Sequence, residues 1–263
     1  MNYILGRRRL WVFDFDGTLS RIVPDRHDAV LDPGCEKMLH ILQGSPWNRV
    51  AVISSRALDD VVPRVPFPGL IVGGGSGLEW ALPGGFRASP DRDEQELLEA
   101  NRKSLRSLLR EIAAVPGVEV EDKGWSVAVH YRNASPRSFR RRTSLLQRLR
   151  NCPGIKVYRG HEVVEVQLVR GGSKAAGLRR LCRLIDWKYF PDSLYYAGDD
   201  ENDATAMKWV LRHSGTAVVV GNRIAVPRAL CVESPAELAS VVRSFSRTVA
   251  GENRMQADRV ACG

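Results

Sequence analysis

The chain has 263 residues, of which 44% are hydrophobic and 26% charged, and its 39 lysines and arginines against 30 acidic residues give a formal net charge of +9. This composition provides a packed core and excludes wholesale disorder. No apolar run approaches the roughly 20 residues of a membrane span, and residues 1–10 do not contain the apolar stretch expected of a secretory signal. Five scattered cysteines favour neither a disulfide framework nor a zinc site. We therefore expect a cytoplasmic globular protein of one large or two modest domains.

From the N-terminus, apolar runs alternate with amphipathic stretches. Strands are predicted at residues 10–15 and 49–54, and helices at residues 33–42 and 56–62. The glycine-rich run at residues 73–77 lacks the GxGxxG spacing of a dinucleotide site, so it predicts a tight turn.

A different pattern occupies residues 84–172, here called the insert. It predicts a helix over residues 92–114, a hairpin of strands 118–121 and 125–132, a helix over 136–150, and a second hairpin of strands 155–159 and 162–169 around Gly160-His161. We expect a self-contained α+β domain that can act as a lid. Six arginines between residues 137 and 150 indicate either a solvated basic face or an electrostatic funnel for an anion.

After the insert the alternation resumes, with helices at residues 174–185, 202–211 and 236–242 and strands at residues 194–197 and 216–220. Strands that alternate with helices favour an α/β fold, a doubly wound and mainly parallel sheet that binds ligands beyond the carboxyl ends of its strands. The predicted domains are this core, from residues 1–83 and 173–263, and the inserted α+β domain over residues 84–172.

The first acidic motif, DFDGT, follows the first strand and contains Asp14 and Asp16. Two carboxylates two positions apart can reach one cation, while Gly17 lets the chain turn away. An ordinary hairpin turn would also use Asp16-Gly17.

The second acidic motif, GDDENDA, follows another apolar strand and contains Asp199, Asp200 and Asp203. These carboxylates repel one another, and a bound cation is the simplest way to offset that repulsion. Helix capping explains one or two of the acids but not all of them.

Two further motifs can bind phosphate. Ser54 ends the second strand, and Lys174 opens a helix after Gly-Gly-Ser. A hydroxyl, helix N–H groups and an ammonium all suit phosphate oxygens. Neither motif is diagnostic alone, because Ser55 could cap a helix and a first-turn lysine usually faces solvent. The GGSK run is not a P-loop, since Ala175 follows the lysine.

Together, DFDGT, the strand-end serine, the helix-opening lysine and GDDENDA resemble the four motifs of the haloacid dehalogenase superfamily of phosphatases, and the insert resembles its C2 type of cap. More narrowly, the chain resembles the trehalose-6-phosphate phosphatases in ISSR, GSGLEW, VEDKGWSVAVHYR and HEVVEVQ. It departs from their usual pattern at Ser55, Ser76, Ala175, Asn202 and Ala204, which leaves the exact sugar open.

The resemblance implies a Mg²⁺-dependent phosphatase that forms an aspartyl-phosphate from trehalose 6-phosphate. Asp14 would be the nucleophile, and Asp16 the acid and then the base. Asp14, the Asp16 backbone carbonyl and Asp199 would hold Mg²⁺.

The same resemblance assigns phosphate binding to Ser54 and Lys174. Asp200 and Asp203 would orient these ligands without contacting the phosphate themselves. The implied sugar-binding residues are Arg56, Glu79, Glu121, Lys123, His130, Arg132 and Glu165.

Strand parity in the insert predicts one apolar face, with Val127 and Val129, and one polar face, with His130 and Arg132. The apolar face should pack on the two helices, so the polar face would form the roof of the active site. A solvated polar face, with His130 bonded to Glu121, is the alternative.

Other functions stay open at this point. The same chemistry could act on a glucosyl- or mannosyl-3-phosphoglycerate, or in a phosphomutase. A basic nucleic-acid-binding module is disfavoured because aromatic residues are not interleaved with the arginines. A pseudoenzyme is disfavoured because the motif side chains are all present. We expect a monomer whose partner is a small sugar phosphate, with no nucleic acid and no membrane.

Overall fold

The computed structural model describes residues 8–159, 162–169 and 171–246; the predicted turn at Gly160-His161 lies outside them. The strands, in chain order, are β1 (Arg9–Phe13), β2 (Asn48–Ile53), β3 (Ile71–Gly74), β4 (Glu79–Ala81), β5 (Arg87–Ala88), β6 (Glu119–Asp122), β7 (Ser126–His130), β8 (Lys156–Arg159), β9 (Val163–Gln167), β10 (Leu194–Gly198), β11 (Thr216–Val220) and β12 (Leu230–Val232). The helices are α1 (Pro33–Gln43), α2 (Leu58–Val61), α3 (Arg92–Ala113), α4 (Phe139–Arg150), α5 (Lys174–Leu184), α6 (Glu201–Arg212) and α7 (235–246).

Eight strands form the core sheet, in the order β12-β11-β10-β1-β2-β3-β4-β5. Six of them run parallel, and β4 and β5 add an antiparallel edge. β5 lies within residues 84–172 of the sequence but pairs with β4 in the core sheet. The α/β prediction, a mainly parallel sheet, is confirmed.

Helices cover both faces of the core sheet because its central strand is apolar on both sides. Trp11 and Phe13 of β1 lie in the hydrophobic cluster that contains residues of α1 and α7. Leu10 and Val12 lie in the cluster that contains residues of α5 and α6. A strand buried on both faces reads as a continuous apolar run, as the sequence of β1 does.

The insert contains a separate antiparallel sheet in the order β6-β7-β9-β8. Its apolar face, including Val127 and Val129, packs on α3 and α4 and confirms the predicted parity. The opposite face carries Ser126, Ala128 and Gln167, which are buried even though no insert helix covers that face. Glu121 on that face contacts Arg26 of the core, so the face is turned toward the core.

The sequence analysis missed β3, β4, β5 and β12 as strands. Each has two to four residues, which is too short for an alternation pattern to be recognised. The helix predicted at residues 56–62 is shorter than expected, because Val62–Arg64 forms a 3₁₀ turn around Pro63. Among the described residues, no helix combines the length and the apolar character that a membrane span requires.

Candidate active site

The carboxyl ends of neighbouring parallel strands bring the two acidic motifs together. The register pairs Phe13 of β1 with Ala197 of β10, so Asp14 and Asp199 follow adjacent strand ends. Both are buried, with 3% and 4% of their surface exposed. Ser54 follows β2, the neighbour of β1 on the other side, and is also buried. This edge of the sheet is where an α/β fold binds ligands.

Lys174 reaches this edge from the N-terminus of α5. Its Nζ lies 2.6 Å from Asp14 Oδ1 and 2.8 Å from Asp203 Oδ1, and 4.0 Å from Asp200 Oδ1. Only 2% of the lysine is exposed. The alternative considered from the sequence, a first-turn lysine that faces solvent, does not hold for Lys174, because buried carboxylates compensate its charge.

Asp203 has both carboxylate oxygens engaged within the protein. Besides Lys174, Oδ1 accepts a hydrogen bond of 2.6 Å from the Tyr196 hydroxyl. Oδ2 accepts from the backbone N–H groups of Asp199 and Asp200, at 3.3 and 3.2 Å. Asp200 in turn caps α6 by accepting from the Asp203 N–H at 2.9 Å. Asp203 is thus suited to orienting Lys174, and helix capping accounts for Asp200.

The buried carboxylates outnumber the cation among them. Burial raises the pKa of Asp14 to about 8, with Asp199 and Asp200 adding to the shift and Lys174 opposing it. Burial, Asp203 and Asp200 raise the pKa of Asp199 to about 7. Burial lowers the pKa of Lys174, but Asp14, Asp200 and Asp203 raise it well above its ordinary value. The site therefore favours an additional positive charge.

The donor set fits Mg²⁺. Asp14, Asp199 and Asp203 each offer an oxygen within 4.8 Å of the others, and Mg²⁺ prefers carboxylate and carbonyl oxygens. The Asp16-Gly17 backbone also lies against this group, since a Cβ on Gly17 would sit 2.3 Å from Asp199 Oδ2. Because both oxygens of Asp203 are occupied, the oxygens of Asp14 and Asp199 and the backbone of Asp16 are the better ligands.

Arg56 binds Asp16. Its Nε and Nη2 donate to the two oxygens of Asp16 at 2.7 Å each, and its Nη1 donates to Asp60 Oδ2 at 2.8 Å. Only 6% of Arg56 is exposed. The resemblance implies a sugar contact for Arg56, which stays a prediction; in the structure its guanidinium binds the carboxylates of Asp16 and Asp60.

The remaining core positions have local partners. Ser54 Oγ accepts a hydrogen bond of 3.1 Å from the Arg56 N–H. Glu79 is half-buried in β4, where its register partner is Gly74 of β3. The tight turn predicted at residues 73–77 lies at residues 75–78, between β3 and β4, because Gly73 and Gly74 belong to β3.

Two positions that depart from the family pattern meet in space. Asn202 Nδ2 donates to Ser76 Oγ at 3.1 Å, and Asn202 Oδ1 accepts from the Lys174 N–H at 3.0 Å. The pair therefore helps to fix the first turn of α5.

The polar face of the insert carries most of the predicted sugar contacts. Lys123 Nζ lies 3.1 Å from Glu165 Oε2, and Ser126 Oγ donates to Glu165 Oε1 at 3.0 Å. His130 Nε2 and Glu121 Oε2 are 2.9 Å apart, so the hydrogen bond considered from the sequence is present. These residues form a network of charges on one face.

Arg132 stands at the edge of that face. It follows β7 and donates to Glu162 Oε2 at 3.0 Å with about half of its side chain exposed. The structure thus gives Arg132 a partner within the insert.

Sequence reasoning missed three residues of this region. Tyr196 looked like part of an apolar strand, although a buried tyrosine hydroxyl requires a partner. Arg223 contributes an Nη1 that lies 3.3 Å from Asp199 Oδ2. Arg26, between β1 and α1, contacts Glu121 of the insert. No local sequence pattern indicates the last two contacts.

Comparisons with known proteins show which family the chain resembles. A family model described as Trehalose-phosphatase matches residues 12–229 of the chain. The trehalose-phosphate phosphatase of Mycobacterium ulcerans (strain Agy99) is 34% identical over 235 residues, which cover 86% of this chain and 58% of that protein. The chain thus spans less than two thirds of this curated relative.

Solved structures show the same fold. The C-terminal domain of C. albicans trehalose-6-phosphate phosphatase aligns with a TM-score of 0.71 at 19% identity, over 93% of each chain. A phosphatase of the haloalkanoate (HAD) enzyme superfamily from Bacteroides thetaiotaomicron aligns with a TM-score of 0.58 at 17% identity, over 94% of this chain and 97% of that one. The core therefore has the Rossmann-like HAD fold.

Proposed function

Because the chain belongs to the trehalose-phosphatase family, we propose that it hydrolyses trehalose 6-phosphate to trehalose and phosphate. The observation that carries the proposal is the meeting of Asp14, Asp199 and Lys174 at one buried edge of the core sheet. A carboxylate that approaches a phosphate dianion to 4 Å meets a repulsion of about 8 kcal/mol at an effective dielectric of 20. A buried ammonium and a divalent cation offset that repulsion.

Mg²⁺ would be held by Asp14, Asp199 and the Asp16 backbone carbonyl. When bound, it neutralises charge between the nucleophile and the phosphate. Lys174 and Ser54 then donate to the phosphoryl oxygens, and Asp203 keeps Lys174 in place.

Asp14 attacks phosphorus, an aspartyl-phosphate bond forms, and the bond from phosphorus to the sugar oxygen breaks. Asp16 gives a proton to the departing sugar oxygen. It later takes a proton from the water that attacks the aspartyl-phosphate, so that phosphate leaves and Asp14 is restored. In this scheme Arg56 orients Asp16, to which it makes two hydrogen bonds.

We assign sugar recognition to the insert, acting as a cap over the core edge. Glu121, Lys123 and Glu165 offer both hydrogen-bond donors and acceptors on the polar face. This face supports the assignment because it is turned toward the core and carries partly buried charged groups. A sugar has hydroxyls that can replace the contacts these groups make with one another.

A panel of phosphate esters, assayed with and without Mg²⁺, tests the function. It contains trehalose 6-phosphate, glucosyl- and mannosyl-3-phosphoglycerate, and glucose 6-phosphate. We expect Mg²⁺-dependent release of phosphate to be fastest from trehalose 6-phosphate, and the nearly isosteric Asp14→Asn variant to release none while remaining folded. Faster hydrolysis of a phosphoglycerate ester would reassign the substrate, and turnover by Asp14→Asn would refute the nucleophile.

A further inference from the structure

Arg26 joins the core to the insert beside the proposed sugar site. It begins the 3₁₀ turn Arg26–Asp28, between β1 and α1, and its Nη1 contacts Glu121 Oε2 in β6. Burial, Lys123 and Arg26 together lower the pKa of His130, in accord with the Arg26 guanidinium lying near that ring. The loop that follows the first acidic motif thus reaches across to the insert.

The backbone of Arg26 contacts the catalytic side of the cleft. Its carbonyl oxygen accepts a hydrogen bond of 2.7 Å from Arg56 Nη2. The same nitrogen donates to Asp16 Oδ1 at 2.7 Å. The Arg26 carbonyl and Asp60 therefore orient the Arg56 guanidinium together, and Arg56 in turn orients Asp16.

On the insert side, Glu121 meets the core through one of its two carboxylate oxygens. Oε2 meets both Arg26 and His130. Within the part of the chain that the structure describes, Oε1 has no hydrogen-bond partner. Glu121 can therefore accept a sugar hydroxyl on Oε1 while Oε2 keeps its contact with the core.

We propose that Arg26 is a positioning residue that couples closure of the insert over a sugar to the placement of Asp16. The inference rests on the proposed function for the location of the sugar site. With the insert closed, Glu121 holds the Arg26 side chain, the Arg26 carbonyl holds Arg56, and Arg56 directs Asp16 toward the sugar oxygen. With the insert open, Arg26 loses its acidic partner, and the loop that presents its carbonyl is freer to move.

The leaving group distinguishes this coupling from a general structural role. The nitrophenolate of p-nitrophenyl phosphate leaves without a proton from an acid, whereas a sugar alkoxide requires one. For Arg26→Ala, we compare the single-turnover rates at which saturating trehalose 6-phosphate and p-nitrophenyl phosphate release their leaving groups, because the later hydrolysis of the aspartyl-phosphate uses Asp16 with both substrates. We expect the ratio of the first rate to the second to fall about tenfold, a part of the usual contribution of general acid catalysis. Arg26→Lys, which keeps the charge, should restore part of the ratio.

The matched control is Arg21→Ala in the same loop, where the arginine side chain is 79% exposed. This variant should keep the ratio of the unaltered protein. An unchanged ratio in Arg26→Ala would overturn the proposal. An equal loss of both rates is one form of that result, and it would indicate a structural defect at the phosphoryl centre.

Hydrogen exchange provides a readout that needs no sugar substrate. In Arg26→Ala, the amides of residues 119–124 should exchange severalfold faster, because β6 loses its tie to the core. Residues 92–96 should exchange as before, since Glu94 is held by Arg180 at 2.7 Å. Unchanged exchange at residues 119–124 would overturn the proposal. If the unaltered protein hydrolyses only p-nitrophenyl phosphate, the proposed substrate fails, and the exchange result still decides the role of Arg26.

Discussion

Lys174 Nζ lies 2.6 Å from Asp14 Oδ1, although 160 positions separate the two residues in the chain. Both are buried, so each charge depends on the other and on the neighbouring acids. The contact links the strand that ends at the proposed nucleophile to the helix that opens at the proposed phosphate ligand. The consequences of this arrangement can be measured.

Replacing Lys174 should impair both turnover and stability. For Lys174→Ala we expect a loss of about 10²- to 10³-fold in kcat, as for the removal of one transition-state donor. Leaving Asp14 and Asp203 without their cation should lower the free energy of unfolding by roughly 3–5 kcal/mol. Steady-state kinetics and urea unfolding measure the two effects. Lys208→Ala, at an exposed position on α6, is the control. A loss in kcat below tenfold for Lys174→Ala would contradict the assignment of Lys174 as a phosphate ligand.

Gly17→Ala should damage the acidic site directly. A Cβ there would lie 2.3 Å from Asp199 Oδ2, and the residue has a φ of +82°. A shift of about 1 Å in a catalytic group typically costs on the order of 10²-fold in rate. Gly85→Ala separates the steric clash from the backbone strain of a positive φ. Gly85 has a φ of +81° but nothing within 4 Å of its Cβ position. Equal activity of the two variants would contradict this interpretation.

Mg²⁺ should stabilise the protein more at pH 8 than at pH 6. Burial raises the pKa of Asp14 to about 8 and that of Asp199 to about 7, above their ordinary value of 3.8. Ionising them opposes folding, so the metal-free protein should lose stability as the pH rises from about 4 to about 8. Mg²⁺ binds the ionised carboxylates, and at 100 times its Kd it contributes about 2.7 kcal/mol. The difference in Tm between the protein in Mg²⁺ and the protein in EDTA, measured at pH 6 and at pH 8, tests this prediction. An equal difference in Tm at the two pH values would contradict it.

Removing Glu165 should weaken the affinity for the sugar without slowing the phosphoryl chemistry. Glu165 joins Lys123 and Ser126 on the polar face of the insert. For Glu165→Ala we expect KM for trehalose 6-phosphate to rise about tenfold, which corresponds to about 1.4 kcal/mol, with KM for p-nitrophenyl phosphate unchanged.

Arg132→Ala tests the edge of the same face, and Glu111→Ala is the control, because Glu111 pairs with Arg148 between the outer helices of the insert. If Glu165→Ala and Arg132→Ala both leave the affinity for trehalose 6-phosphate unchanged, the polar face is not the roof of the active site.

The amino-acid sequence by itself determined the main elements and the chemistry-bearing motifs. β1 and β10 are apolar runs that end at Asp14 and Asp199, and α5 opens at Lys174, as their local patterns predict. The two faces of β7 also followed from strand parity. These features are local, because burial on both faces, helix capping and strand alternation each act over a few neighbouring residues.

Only the tertiary structure decided which polar groups meet. Nothing in the local sequence indicates that Arg56 holds Asp16, 40 positions away. Tyr196 looked like a core residue and donates to Asp203, and Arg26 reaches Glu121 in the insert. Such contacts depend on strand order and on how the insert lies against the core. A long side chain can bind any carboxylate within reach, so its own sequence neighbourhood does not specify its partner.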